Sequence, residues 1–178
     1  MARRDETRSL PAPRFTRPTR VLLVVAPFYR AIADALVSGA AAALARAEVA
    51  HEIVEVPGAL EIPTAIALAA RSGEFDGYVA LGCVIRGETT HYETVCNDSS
   101  RGLTLLGLRG LCIGNGILTV ETPAQAAVRA EPGGQDKGGG AAEACLHLIA
   151  LARRFAFAPK PLPEGSFRVA GGDGSEIA

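Results

Sequence analysis

A chain of 178 residues is long enough for one compact domain with a real core and too short for two ordinary domains with linkers. A formal net charge of -1 at neutral pH, with an isoelectric point near 6.3, lacks the positive field that nucleic-acid binding requires, so nucleic acid is not an expected partner. Aromatic residues make up 5% of the chain against 48% hydrophobic, and tryptophan is absent. The core must therefore be Ala, Val, Leu and Ile at close range, which suits packed α/β layers.

The first twenty residues carry six arginines (Arg3, Arg4, Arg8, Arg14, Arg17, Arg20) and three prolines, and read as a solvated, mobile arm, residues 1–20. The Arg3-Arg4 pair is not followed by an apolar run before Val21, which argues against an export signal. Val21–Ala26 is a continuous apolar run ending at Pro27, the pattern of a strand buried on both faces. Between Tyr29 and Ala47, helical spacing sets Ile32, Leu36, Val37 and Leu44 on one face.

The alternation then repeats. Strands are expected near His51–Val56, Tyr78–Cys83 and Leu111–Val120, and helices near Glu61–Arg71, Thr90–Leu108 and Pro123–Ala130, with a final helix from about Ala141 to Phe155. Strand-helix pairs with short connections imply right-handed crossovers. The expected fold is α/β, a three-layer, flavodoxin-like arrangement with a parallel four-stranded sheet covered by helices on both faces. The domain is expected over residues 21–157, followed by a Pro- and Gly-rich flexible tail over residues 158–178. No stretch is long enough for a membrane span. The four cysteines (Cys83, Cys96, Cys112, Cys145) form no CxxC pair and read as buried free thiols in a reducing compartment, so a zinc site is not expected and a cytoplasmic location is.

Three segments carry chemistry. In Val56–Pro63, Gly58 permits close backbone approach and Glu61 stands at a helix N-terminus, where the dipole favours its charge. The segment is equally compatible with an ordinary capped turn. In Gly82–Glu93, a glycine, two threonine hydroxyls and free helix-start N–H groups converge where a phosphate would be welcome. His91 lies in the first helical turn beside them, and an imidazole exchanges protons near neutral pH. His51 and His147 have no comparable polar neighbourhood. The segment lacks the closing Gly-Lys-Ser/Thr of a P-loop and the three-glycine dinucleotide fingerprint.

The third segment, Arg129–Gly140, holds Lys137, one of two lysines in the chain. It reads either as a solvated Gly-rich connection between two helices or as a phosphate site clamped by Arg129. Phe28, directly after the first strand, lies at the same sheet edge and suits either stacking on a flat heterocycle or capping the core.

Taken in order, Val56-Pro57-Gly58-Ala59-Leu60-Glu61-Ile62-Pro63, Gly87-Glu88-Thr89-Thr90-His91-Tyr92, Gly116-Ile117-Leu118-Thr119 and Lys137-Gly138 resemble the lumazine synthase family over roughly Val21 to Phe155. The resemblance implies condensation of 5-amino-6-ribitylaminouracil with 3,4-dihydroxy-2-butanone 4-phosphate to 6,7-dimethyl-8-ribityllumazine, the penultimate step of riboflavin biosynthesis, with no metal or organic cofactor. It further implies that Phe28 stacks on the pyrimidine and that the backbone at Ala59, Leu60, Val84 and Ile85 holds its polar edge. Glu61 would bind the ribityl chain and His91 shuttle protons. Glu88 and Thr89 would meet the phosphate through their N–H groups, with Arg129 and Lys137 as its cations.

Two positions depart from the family pattern. Asn115 stands where an aromatic residue commonly reaches the neighbouring subunit's ligand, and Leu60 replaces a frequent phenylalanine. The family's sites lie between adjacent subunits of a five-membered ring, so at least a homopentamer is implied. Two other readings are a catalytically weak lumazine- or flavin-binding scaffold of the same fold, to which Asn115 lends some weight, and a flavodoxin-like electron carrier. For the latter, Pro27-Phe28-Tyr29-Arg30 lacks the hydroxyl-rich phosphate loop.

Overall fold

The computed structural model describes residues 10–156. In chain order these form β1 (Arg20–Val25), α1 (Arg30–Arg46), β2 (Ala50–Glu55), α2 (Ile62–Ala70), β3 (Gly77–Ile85), α3 (His91–Leu108), β4 (Ile113–Val120), α4 (Pro123–Ala130) and α5 (Lys137–Ala156). The four strands make one sheet in the order β2-β1-β3-β4, parallel throughout. The expected three-layer α/β fold is the one observed. The residues beyond these bounds include the whole of the expected C-terminal tail and Met1 to Ser9 of the expected arm, and lie outside the described residues.

Two cores follow from the period of two along the strands. Val21, Leu23 and Val25 of β1, with Val79 and Leu81 of β3, face α1 and α5 through Leu36, Leu44, Cys145, Leu146 and Ile149. Leu22, Val24 and Ala26, with Tyr78 and Ala80, face α2 and α3 through Ile62, Ile66 and Leu103. Since both faces are covered, β1 reads as an unbroken apolar run with no alternation. Each fully buried Leu, Ile or Val contributes on the order of 1.5–3 kcal/mol.

The segment before β1 also packs. Phe15 lies against the first core, with the Arg153 guanidinium 5.1 Å from its ring centroid. Arg153 donates to Thr19 Oγ1 at 2.9 Å and to Asp76 Oδ1 at 2.9 Å, and Asp76 Oδ2 accepts the Arg20 N–H at 3.0 Å. The C-terminal helix, the entry to β1 and the entry to β3 are thereby tied at one end of the sheet, opposite the functional loops.

One sequence expectation is corrected. The last helix begins at Lys137 and not near Ala141, so Gly138, Gly139 and Gly140 are helical and not part of a solvated connection. Two of these glycines are required by packing. A Cβ on Gly138 would lie 2.0 Å from the Leu36 carbonyl oxygen of α1, and one on Gly139 would lie 2.2 Å from Asp136 Oδ2. Asp136, at φ 43°, caps the helix by accepting the Gly139 N–H at 2.9 Å, and its carboxylate sits where a Cβ on Gly39 of α1 would be. Glycine costs up to about 1 kcal/mol each in a helix, and close contact of α1 with α5 offsets it here.

Candidate active site

In a doubly wound sheet, ligands bind outside the carboxyl ends of the strands where the strand order reverses. Here the chain runs outward from β1 to β2 and then returns to β3 on β1's other side, so that point lies between β1 and β3. A cavity of ≈ 420 Å³ opens there. Its walls come from the exits of three strands: Ala26, Phe28 and Tyr29 after β1, Pro57 to Glu61 after β2, and Cys83, Val84 and Ile85 at the end of β3. The entry to α3 completes it with Gly87, Thr89, His91, Tyr92 and Val95.

Phe28 is 74% exposed and stands edge-on to Tyr29, with ring centroids 5.1 Å apart. It does not cap the core, because its neighbours Ala26 and Tyr29 already meet the packed layers and the Phe28 ring is left at the mouth. An exposed aromatic at a cavity mouth is suited to stacking on a flat ring. Glu61 is the residue that caps α2, yet its side chain makes no capping bond and its carboxylate is exposed towards Gly58. Its oxygens are available to hydroxyl donors in the cavity.

His91 opens α3 and is exposed. Thr90 precedes it with no side-chain capping bond, which leaves N–H groups of the first turn directed at the loop. Tyr92 and Val95 share the cavity wall with His91, a spacing (i, i+1, i+4) that puts all three on one side of the helix. Neither Tyr92 nor Val95 is among the sequence-derived site residues, although helical spacing from His91 is the signal that could have found both. Cys83 and Tyr29 had no local signal of a role in the cavity.

Of the sequence-derived site residues, the cavity unites Phe28, Ala59, Leu60, Glu61, Val84, Ile85, Thr89 and His91. The other four, Glu88, Asn115, Arg129 and Lys137, do not line it. Glu88 is exposed on the α3 entry loop. Asn115 lies mid-strand on β4, paired with Ala80, and its Oδ1 accepts the Ile117 N–H at 3.0 Å. Arg129 lies on α4, donating to the Gln125 carbonyl at 2.9 Å, and Lys137 begins α5.

Cys83 forms part of the cavity floor with 8% of its surface exposed. Burial pushes its thiol up to about 11. Against the ordinary value of 9.0, this leaves about a hundredfold less thiolate at neutral pH. Iodoacetamide at pH 7.5, followed by peptide mass analysis, is expected to label Cys83 far more slowly than a free thiol, and more slowly still with a ligand in the cavity. Rapid neutral-pH labelling would contradict the burial argument.

A parallel α/β sheet with a pocket at its switch point, an aromatic plate at the mouth, a carboxylate and an imidazole defines a small-molecule enzyme of the doubly wound class. Residues 18–153 match the model of the 6,7-dimethyl-8-ribityllumazine synthase family. The 6,7-dimethyl-8-ribityllumazine synthase of Jannaschia sp. is 55% identical over 170 residues, covering 93% of this chain and 94% of the relative. That of Novosphingobium aromaticivorans is 57% identical over 136 residues, 76% of this chain and 98% of the relative. The counterpart in Bartonella henselae is 56% identical over 138 residues, 76% and 89% of the two chains. The chain belongs to the 6,7-dimethyl-8-ribityllumazine synthase family.

Proposed function

We propose that the chain condenses 5-amino-6-ribitylaminouracil with 3,4-dihydroxy-2-butanone 4-phosphate, releasing phosphate and water, at a site completed by two adjacent subunits. Family membership carries the reaction, an enzymatic step of riboflavin biosynthesis. The single observation that carries the shared site is the division of the site residues. Phe28, Glu61 and His91 line one cavity, while Asn115, Arg129 and Lys137 of the same chain stand apart from it.

In this reading Phe28 stacks on the pyrimidine, and backbone groups at Ala59, Leu60, Val84 and Ile85 hold its polar edge. Glu61 accepts hydrogen bonds from the ribityl hydroxyls. The butanone phosphate meets the N–H groups of Glu88 and Thr89, with Arg129 and Lys137 arriving from the neighbour, where guanidinium matches phosphate oxygens in pairs. The pyrimidine amine attacks the ketone, the carbinolamine dehydrates to an imine, phosphate leaves, and the side chain closes on the second nitrogen with loss of water. His91 takes and returns protons, and orientation of the two substrates supplies most of the acceleration. Asn115, in place of an aromatic, offers the ligand an amide and weakens stacking.

A ring of five also suits the surface. Leu68 of α2, Leu105 and Leu108 of α3, and Ile53 and Val54 of the edge strand β2 are between 43% and 81% exposed, apolar side chains that a neighbouring subunit would cover. Among the described residues no helix is long and apolar enough to cross a membrane. A reducing, cytoplasmic setting suits the four unpaired thiols.

Mixing the two substrates with purified protein should accelerate lumazine formation saturably over the uncatalysed rate. Co-expressing His91→Ala with Arg129→Ala subunits then tests the shared site. If one subunit gives His91 and its neighbour Arg129, random assembly restores about a quarter of the sites. Activity no higher than either variant alone would place all these residues in one subunit and overturn the shared site.

A further inference from the structure

Arg86 is the residue at which β3 leaves the sheet, and it belongs to no wall of the cavity. Its N–H donates to the Val120 carbonyl at 2.9 Å, extending the β3–β4 ladder by one bond. Its guanidinium bridges two carboxylates from different elements, Glu93 in the first turn of α3 and Glu121 just after β4, the latter at 2.7 Å. The same group lies 4.2 Å from the centroid of the Tyr92 ring. Only a planar fork satisfies this arrangement, since a lysine ammonium has neither the span for both carboxylates nor the flat face for the ring.

What the fork encloses is the segment Gly87–Thr90. Its residues are exposed, Gly87 has open space around it, and Thr90 makes no side-chain capping bond. Among the described residues no other side-chain hydrogen bond or ion pair reaches across that segment. Its two ends are therefore held by Arg86 at one side and by Glu93, two residues beyond His91, at the other. The Glu93 carboxyl is held below the usual carboxylate range by its hydrogen bond with Arg86, as expected of a formed pair. Tyr92 is clamped between the guanidinium and the cavity it lines.

We infer that Arg86 is a positioning residue for the condensation, a brace that fixes the loop meeting the phosphate and the helical turn bearing His91, through Glu93, Glu121 and Tyr92. The kinetic part rests on the proton-shuttle reading of His91. A displacement of about 1 Å between reacting groups is enough to cost up to 10²-fold in rate. Glu121 precedes Thr122, the capping residue of α4, so the same brace also fixes the start of the helix that carries Arg129.

The test compares Arg86→Gln, Arg86→Lys, Glu121→Gln and the double variant Arg86→Gln/Glu121→Gln with the wild-type protein. All these side chains are 40–56% exposed, so loss of the pairs should leave the melting temperature nearly unchanged. Hydrogen exchange of amides 87–95 is expected to quicken roughly fivefold to tenfold in Arg86→Gln, and that of 121–129 less. The kcat should fall roughly tenfold with KM for the aminopyrimidine within about twofold of wild type. Arg86→Lys should not rescue it, and the double variant should be no slower than Arg86→Gln alone, because both remove one device. Unchanged exchange at 87–95, a wild-type kcat, full rescue by lysine, or a fall in melting temperature that parallels the fall in kcat would each overturn the brace. Exchange needs no turnover, so it judges the brace even if the His91 reading fails.

Discussion

Gly138→Ala is expected to lower the melting temperature by about 5–10 °C, whereas Gly140→Ala, two residues along the same helix, is expected to raise it slightly. Helix propensity favours alanine at both positions by up to about 1 kcal/mol. At Gly138 the new Cβ would lie 2.0 Å from the Leu36 carbonyl oxygen and 2.8 Å from its carbon, both backbone atoms of α1 that cannot rotate away. The helices would have to separate by roughly an ångström, and overpacking of this kind costs about 1–3 kcal/mol or more. Here packing outweighs propensity, and for a domain of this size each kcal/mol moves the midpoint by about 2–4 °C. Nothing lies within 4 Å of a Cβ on Gly140, so propensity alone acts there. Thermal unfolding of the two variants beside wild type checks the sign of each. Equal shifts would mean that α1 and α5 do not approach as described.

His91→Ala is expected to slow turnover by about a hundredfold, the lower end of what one general acid and base contributes. The side chain is exposed at the first turn of α3 and makes no hydrogen bond among those described, so stability should change by less than about 0.5 kcal/mol. Phosphate affinity should be nearly unchanged, since in the proposed reading backbone N–H groups and the cations of the third segment hold the anion. Steady-state kinetics with both substrates, together with titration of inorganic phosphate, separates the two effects. Wild-type turnover in the variant would remove His91 from the chemistry. A large loss of phosphate affinity would make it a binding group.

The close packing at Gly138 also marks where local sequence pattern stops deciding structure. From composition, Glu131–Gly140 is a loop, since a run of three glycines is the poorest helix sequence short of proline. What makes it helical from Lys137 is a neighbour about a hundred residues earlier, the backbone of α1 at Leu36 and Gly39, which a local window does not contain. The Arg86 brace is invisible to a local window for the same reason. Arg86 and Glu93 are close in sequence, but the second carboxylate, Glu121, comes from the far side of β4 and is brought there by strand pairing of Ile85 with Val120.

The sequence by itself determined the class of fold, because strands buried on both faces must be continuous apolar runs and the helices between them must show a 3.6-residue period. Val21–Val25 and the α1 segment meet both demands without any tertiary information. It also determined the family, and it set Phe28, Glu61, Thr89 and His91 after strand ends, which in a parallel sheet share one edge. Only the tertiary structure decided which residues meet. Strand order set the exits of β1 and β3 side by side, so Phe28 and His91 border one cavity. Asn115, Arg129 and Lys137 read as partners of the same ligand but stand away from that cavity, because β4 is the sheet's outer strand and α4 and α5 follow it. Spacing along a chain fixes local faces, whereas contact between distant segments is fixed by sheet order and helix packing.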